Sequence, residues 1–199
     1  HYHYFEDGGA TYHNRFNSYD FIRGQERDPW KAMVQPPLEK FREKYHKSQL
    51  NLEDREHVYY FYPINSEFIK EEKDFPSVKC FNSGLDFLQT NKDADNWFLQ
   101  LETFDPHEPF DTPEPWAYKY HDQRNEDLII WPPYMQKAIE KGVLTEEQAF
   151  QVRANYGAKL SMIDHWFGKI LDAMDRNNLW DDTALFIVTD HGHYLGERD

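Results

Sequence analysis

Two hydrophobic periods alternate along the chain. Over residues 145–176, Val152, Tyr156, Leu160, Ile163, Phe167, Ile170 and Met174 recur every three or four positions, which places them along one side of a long helix. Thr145 and Gln148 form a capping box at its start, and Glu146 and Glu147 sit at the positive end of its dipole. A second helix is predicted over 77–91, where Val78, Phe81, Leu85 and Leu88 share a face and Ser77 is placed as the cap. Pro36 and Pro37 precede a short helix from Leu38. Over 96–104 the period drops to two: Trp97, Leu99, Leu101 and Thr103 alternate with Phe98, Gln100, Glu102 and Phe104, which predicts a strand. Residues 184–188, ALFIV, are an uninterrupted apolar run fed by the long helix, the pattern of a strand covered on both faces. Helix, strand, loop, long helix and strand in that order predict a layered α/β domain.

Composition narrows the function. The chain has 199 residues with 39% hydrophobic and 29% charged positions, enough for a substantial core. A net charge of -14 argues against a nucleic-acid surface, which needs a basic footprint, but leaves a small anionic substrate open, because local cations override the global field. The single cysteine, Cys80, excludes an internal disulfide framework and a thiolate-rich zinc site. No apolar run is long enough to span a membrane. Aromatic residues reach 17%; most suit a core, while PEPW (113–116) and WPPY (131–134) would also suit stacking on sugar rings.

The candidate chemistry lies where the two predicted strands end, since ligands of open α/β sheets bind at the carboxyl ends of strands. One strand runs into Asp105-Pro106-His107-Glu108-Pro109 and the other into Asp190-His191-Gly192-His193. Asp190 and His191 can converge on a divalent cation where the strand bends into Gly192; alternatively Asp190 caps the turn and His191 packs against a neighbour. His107, fixed between prolines, suits anion binding or general acid–base work, or a bond to a nearby carboxylate. His1 and His3 in HYHY share a side if that segment is extended. Asp164 and His165 within the long helix read as surface residues, and Cys80 as structural.

FDPHEPF (104–110), the helix carrying YGAKLSMIDHWFGKILDAMD, and LWDDTALFIVTDHGHYLGERD together resemble the sulfatase family of the alkaline phosphatase superfamily. The resemblance implies a fragment of an alkaline-phosphatase-like layered α/β/α domain with a central mixed sheet, here an internal portion (1–199) of one catalytic domain. It implies a metal-dependent sulfate-ester hydrolase with one divalent cation, usually calcium, with manganese or zinc as alternatives. Asp190 and His191 match the later pair of metal ligands. His107 matches the histidine that contacts the sulfate ester and serves catalysis. His3 matches the catalytic histidine of a Lys-x-His segment, with His1 standing where Lys is expected and so placed at the substrate. His193 is placed at the substrate or at the turn. The nucleophile of the family is a formylglycine made from a C/S-x-P-x-R motif; this chain has none, and Cys80 is followed by FNSG. The chain alone is therefore expected to be inactive, with the N-terminal nucleophile region and a C-terminal part outside it. The expected partner is a small anionic sulfate ester, with a sulfated sugar as one form. A phosphonate monoester hydrolase or phosphodiesterase of the same superfamily, and a non-catalytic metal- or sugar-binding α/β module, are the competing readings.

Overall fold

A computed structural model describes residues 12–54, 58–121, 127–193 and 195. His1 and His3, expected at the site, lie outside the described residues. Four α-helices carry the packing: α1 (Leu38–Lys44), α2 (Val58–Ser66), α3 (Pro76–Thr90) and α4 (Glu146–Arg176). Helix α4 starts as its sequence dictates, with Gln148 N donating to Thr145 Oγ1 at 3.1 Å and Thr145 N donating to Gln148 Oε1 at 2.9 Å. It ends where Asn178 turns left-handed at φ 52°. Helix α3 begins one residue before the predicted cap: Pro76 occupies its first turn and Phe75 is the N-cap, so the Ser77 hydroxyl is released for another partner.

Helices α3 and α4 pack face to face through Phe81 and Leu88 on one side and Ile170, Ala173 and Met174 on the other, and Val78 meets Met162 nearby. Val78 and Met162 are fully buried, and each such side chain stabilises the fold by about 1.5–3 kcal/mol. The apolar side of α4 differs from the predicted stripe. Leu160 is 45% exposed, whereas Gln151, Asn155 and Lys159, spaced by one helical turn, are buried.

The two predicted strands find no pairing partner among the described residues. Residues 97–104 and 184–190 join no ladder; among the described residues the only β pairing is an isolated parallel bridge between Tyr45 and Leu128. The expected double covering of 184–188 is absent here: Phe186 is 82% exposed, Ile187 74% and Val188 88%. A strand is defined by the partner that takes its backbone groups, and no described segment lies alongside these two to take them. The central mixed sheet is thus not formed among the described residues.

Side chains do satisfy one apolar segment, 128–131. Gln49 Oε1 accepts from Ile130 N at 3.0 Å and Trp131 N at 2.7 Å. On the opposite side Gln151 Oε1 accepts from Ile129 N at 3.2 Å, and Asn155 Nδ2 donates to Ile129 O at 3.1 Å. These amides replace a neighbouring strand and let Leu128, Ile129, Ile130 and Trp131 be buried together. Trp131 is buried, which commits its ring to packing rather than to sugar stacking, while the partly buried Trp116 donates its indole N–H to Glu72 Oε2 at 2.8 Å.

Candidate active site

The loop that follows residues 97–104 is clamped from two helices. Asp105 is buried, and Lys159 from α4 sits 2.6 Å from its Oδ1. Ser77 from α3 donates its hydroxyl to the other oxygen, Oδ2. The Lys159 ammonium also donates to Pro109 O at 2.7 Å, and Phe110 N donates to Ile130 O at 2.8 Å. Both ends of 105–110 are thereby tied to buried groups, which leaves His107 and Glu108 projecting from a fixed base.

His107, His191 and His193 meet at this base. The ring centroids of His107 and His193 are 4.8 Å apart, those of His191 and His193 5.3 Å, and those of His107 and His191 5.5 Å. Phe104 packs against His107 at 4.3 Å, and Phe110 and Tyr156 flank His193. Glu108 is the carboxylate beneath the rings: its Oε2 lies 3.1 Å from His107 Nδ1 and 3.2 Å from His193 Nδ1, while Tyr134 donates its hydroxyl to Oε1. His107 Nδ1 also lies 3.1 Å from the Glu108 carbonyl oxygen. Burial holds the His193 imidazole below its ordinary value; the Glu108 carboxylate pulls the other way, and His107 and His191 add to the depression.

Asp190 and His191 are adjacent but open to solvent, with side chains 91% and 51% exposed. Asp190 Oδ1 accepts from His191 N at 3.1 Å, so the carboxylate does close its own turn. Its remaining oxygen is 3.9 Å from His191 Nε2. One carboxylate and one imidazole fit part of a divalent-cation shell, and a calcium ion requires six to eight oxygens, most of them from other residues. A tighter donor set lies beside them: His107, Glu108 and His193 each offer one ligand atom, all within 4.8 Å of one another.

Sequence reasoning named His107, His191 and His193 and did not single out Lys159, Tyr134 or the role of Glu108 at the site. The signal for Lys159 was available: Gln151, Asn155 and Lys159 at four-residue spacing form a polar ridge beside the apolar stripe of α4. Cys80, read as structural, fits that reading: burial pushes its thiol up to about 11, and its Sγ faces Glu102 O at 3.6 Å. A cavity of about 450 Å³ lies along 98–104, lined by Tyr19, Ser77, Cys80, Gly84 and Phe98 among others, but it contains none of the clustered imidazoles. Its wall mixes polar and apolar side chains and brings together no group of ligating residues like the histidine cluster.

Known proteins give the same direction. An arylsulfatase from Clostridium perfringens is 24% identical over 138 residues, covering 65% of this chain and 29% of that protein. A multifunctional alkaline phosphatase superfamily protein, PehA, from Trinickia caryophylli is 28% identical over 150 residues, covering 63% of this chain and 29% of its own. A choline-sulfatase from Rhizobium meliloti is 24% identical over 147 residues, again covering 65% and 29%. The chain thus spans less than a third of the length of these relatives. No solved structure matches the chain significantly. Residues 15–199, nearly the whole chain and including both histidine-bearing loops, match the sulfatase family, and the chain belongs to that family.

Proposed function

We propose that this chain supplies one wall of the active site of a metal-dependent sulfate-ester hydrolase. The convergence of His107, His191 and His193 from two loops far apart in sequence carries the reading. The family is one of hydrolases acting on sulfate esters, and the relatives named arylsulfatase and choline-sulfatase support that class. In this reading His107 and His193 meet the anionic ester, with His107 Nδ1 occupied by Glu108 so that Nε2 is the nitrogen facing the substrate. Asp190 and His191 form part of the divalent-cation shell, calcium by the family resemblance. The cation supplies charge neutralisation at the sulfate oxygens when bound. By the family resemblance His3 serves catalysis and His1 contacts the ester. The nucleophile is a formylglycine from a residue outside this chain.

The same reading covers the fold. Residues 97–104 and 184–190 are strands of a central mixed sheet whose neighbours belong to the rest of the catalytic domain. The exposure of Phe98, Phe186, Ile187 and Val188 supports this, because such side chains are stable only once covered.

A second reading, hydrolysis of phosphonate monoesters or phosphodiesters, is favoured by the likeness to PehA. Peptide mass spectrometry of the full-length protein separates the classes. A C/S-x-P-x-R peptide with its first residue converted to formylglycine supports the sulfatase reading or its phosphonate variant. An unmodified Ser or Thr nucleophile moves the assignment to a phosphatase or phosphodiesterase. Absence of any such motif leaves a non-catalytic binding module.

A further inference from the structure

The carboxylate of Glu108 is almost completely buried, with 4% of its side chain exposed, and His193 is buried to a similar degree at 6%. Buried polar atoms are normally hydrogen-bonded, because desolvation without a partner is costly. Glu108 Oε2 and His193 Nδ1 are 3.2 Å apart yet neither completes a hydrogen bond among the described residues. The other carboxylate oxygen is taken by the Tyr134 hydroxyl. No Lys or Arg among the described residues pairs with Glu108; the nearby ammonium of Lys159 is committed to Asp105 and Pro109 O. A buried anion thus faces two imidazoles in a spacing too misaligned for hydrogen bonds and close to that of ligands around a shared ion.

We propose that His107, Glu108 and His193 bind a transition-metal cation of the zinc or manganese class, at a site separate from the Asp190–His191 pair. Two imidazoles and one carboxylate suit such ions, and a three-residue set leaves a coordination position open for an exogenous oxygen. The ligand atoms lie within 4.8 Å of one another, so small rotations of the rings bring all three within bonding distance of one ion. The supporting groups are those of a built site. Tyr134 orients the carboxylate, Phe104, Phe110 and Tyr156 wall the rings, and the Lys159–Asp105–Ser77 clamp holds the loop that carries two of the three ligands. The proposal deepens the reading of His107 and His193 given above, since the two imidazoles would then meet the anion through the cation. Binding itself is read without any ester, so its failure leaves direct contact between His107 and the sulfate intact.

The test uses the full-length protein stripped of metal and then equilibrated with Zn²⁺ alone, with bound zinc counted by mass spectrometry and affinity read by competition with a chromophoric chelator. Glu108→Gln, His193→Ala and Asp190→Asn variants are compared, with circular dichroism reporting their fold. The expected result is one tight zinc equivalent in the wild type and in Asp190→Asn, weakened at least about 100-fold in Glu108→Gln and His193→Ala. Zinc bound equally by all four proteins, or lost only in Asp190→Asn, overturns the proposal. Anomalous diffraction from zinc-soaked wild-type crystals gives an answer that does not depend on any variant folding. A peak at about 2.0–2.2 Å from all three residues supports the site, and density elsewhere or none refutes it.

Discussion

Lys159 is the most informative residue to perturb, because it joins α4 to the loop on which His107 stands. Its ammonium and the Asp105 carboxylate are 2.6 Å apart with side chains 3% and 1% exposed, so water screens the pair very little. At an effective dielectric of about 20 their gross attraction is about 6 kcal/mol, against which the desolvation of both ions must be set. Lys159→Met therefore does more than delete an attraction: it leaves a buried carboxylate with only the Ser77 hydroxyl, and strips Pro109 O of its donor. The expected loss is about 3–5 kcal/mol, read as a lower urea midpoint of the full-length protein. Asp105→Asn, which strands the ammonium instead, is expected to cost a comparable amount. Removing both charges together should cost less than the sum of the single changes by about 2 kcal/mol. Ester hydrolysis by Lys159→Met should fall through kcat as the loop loses its anchor. A single-variant loss under about 1 kcal/mol, or costs that simply add, would refute the clamp as the element that fixes the site.

Two glycines in helices should respond with opposite signs. A Cβ at Gly84 would lie 2.6 Å from Leu101 Cδ1, so Gly84→Ala is expected to lower stability by about 1–3 kcal/mol, whereas Gly168, with nothing within 4 Å, should gain up to about 1 kcal/mol as Ala. Thermal unfolding of both variants checks this, and a stabilised Gly84→Ala would contradict the packing of α3 under residues 97–104. Cys80, with its thiol pushed from 9.0 to about 11, should be alkylated about 100-fold more slowly at pH 8 in the folded protein than in urea. Mass spectrometry of the Cys80 peptide over time reads the ratio, and equal rates would show the thiol to be accessible and ionised.

Helices α1, α3 and α4 were legible in the sequence because their signals are local, whereas α2, with Pro63 inside it, offers no such signal. Thr145 and Gln148 cap α4 from within one turn, and its end at Asn178 follows from polar residues beside it. The strands were legible only as apolar patterns, since pairing depends on a neighbour that the pattern does not name. The same limit explains the mistaken placement of Leu160: hydrophobicity alone put it inside, while the buried backbone of 128–131 and the buried Asp105 recruited Gln151, Asn155 and Lys159 to that face. Ser77 was read as a cap from its position, yet its hydroxyl serves Asp105, a partner 28 positions away. His107, His191 and His193 were visible because prolines and a glycine mark the loop ends where chemistry collects. Their mutual distances, and the carboxylate of Glu108 beneath them, belong to the folded chain alone.

The central claim is that this chain forms part of a metal-dependent sulfate-ester site. Its most direct test is hydrolysis of an aryl sulfate and of a phosphodiester by the metal-replete full-length protein, alongside its Asp190→Ala variant. The expected result is turnover of the sulfate ester that Asp190→Ala abolishes together with bound calcium, whereas zinc at His107, Glu108 and His193 is retained. Cleavage of the phosphodiester only, or full sulfate hydrolysis and calcium content in Asp190→Ala, would contradict that claim.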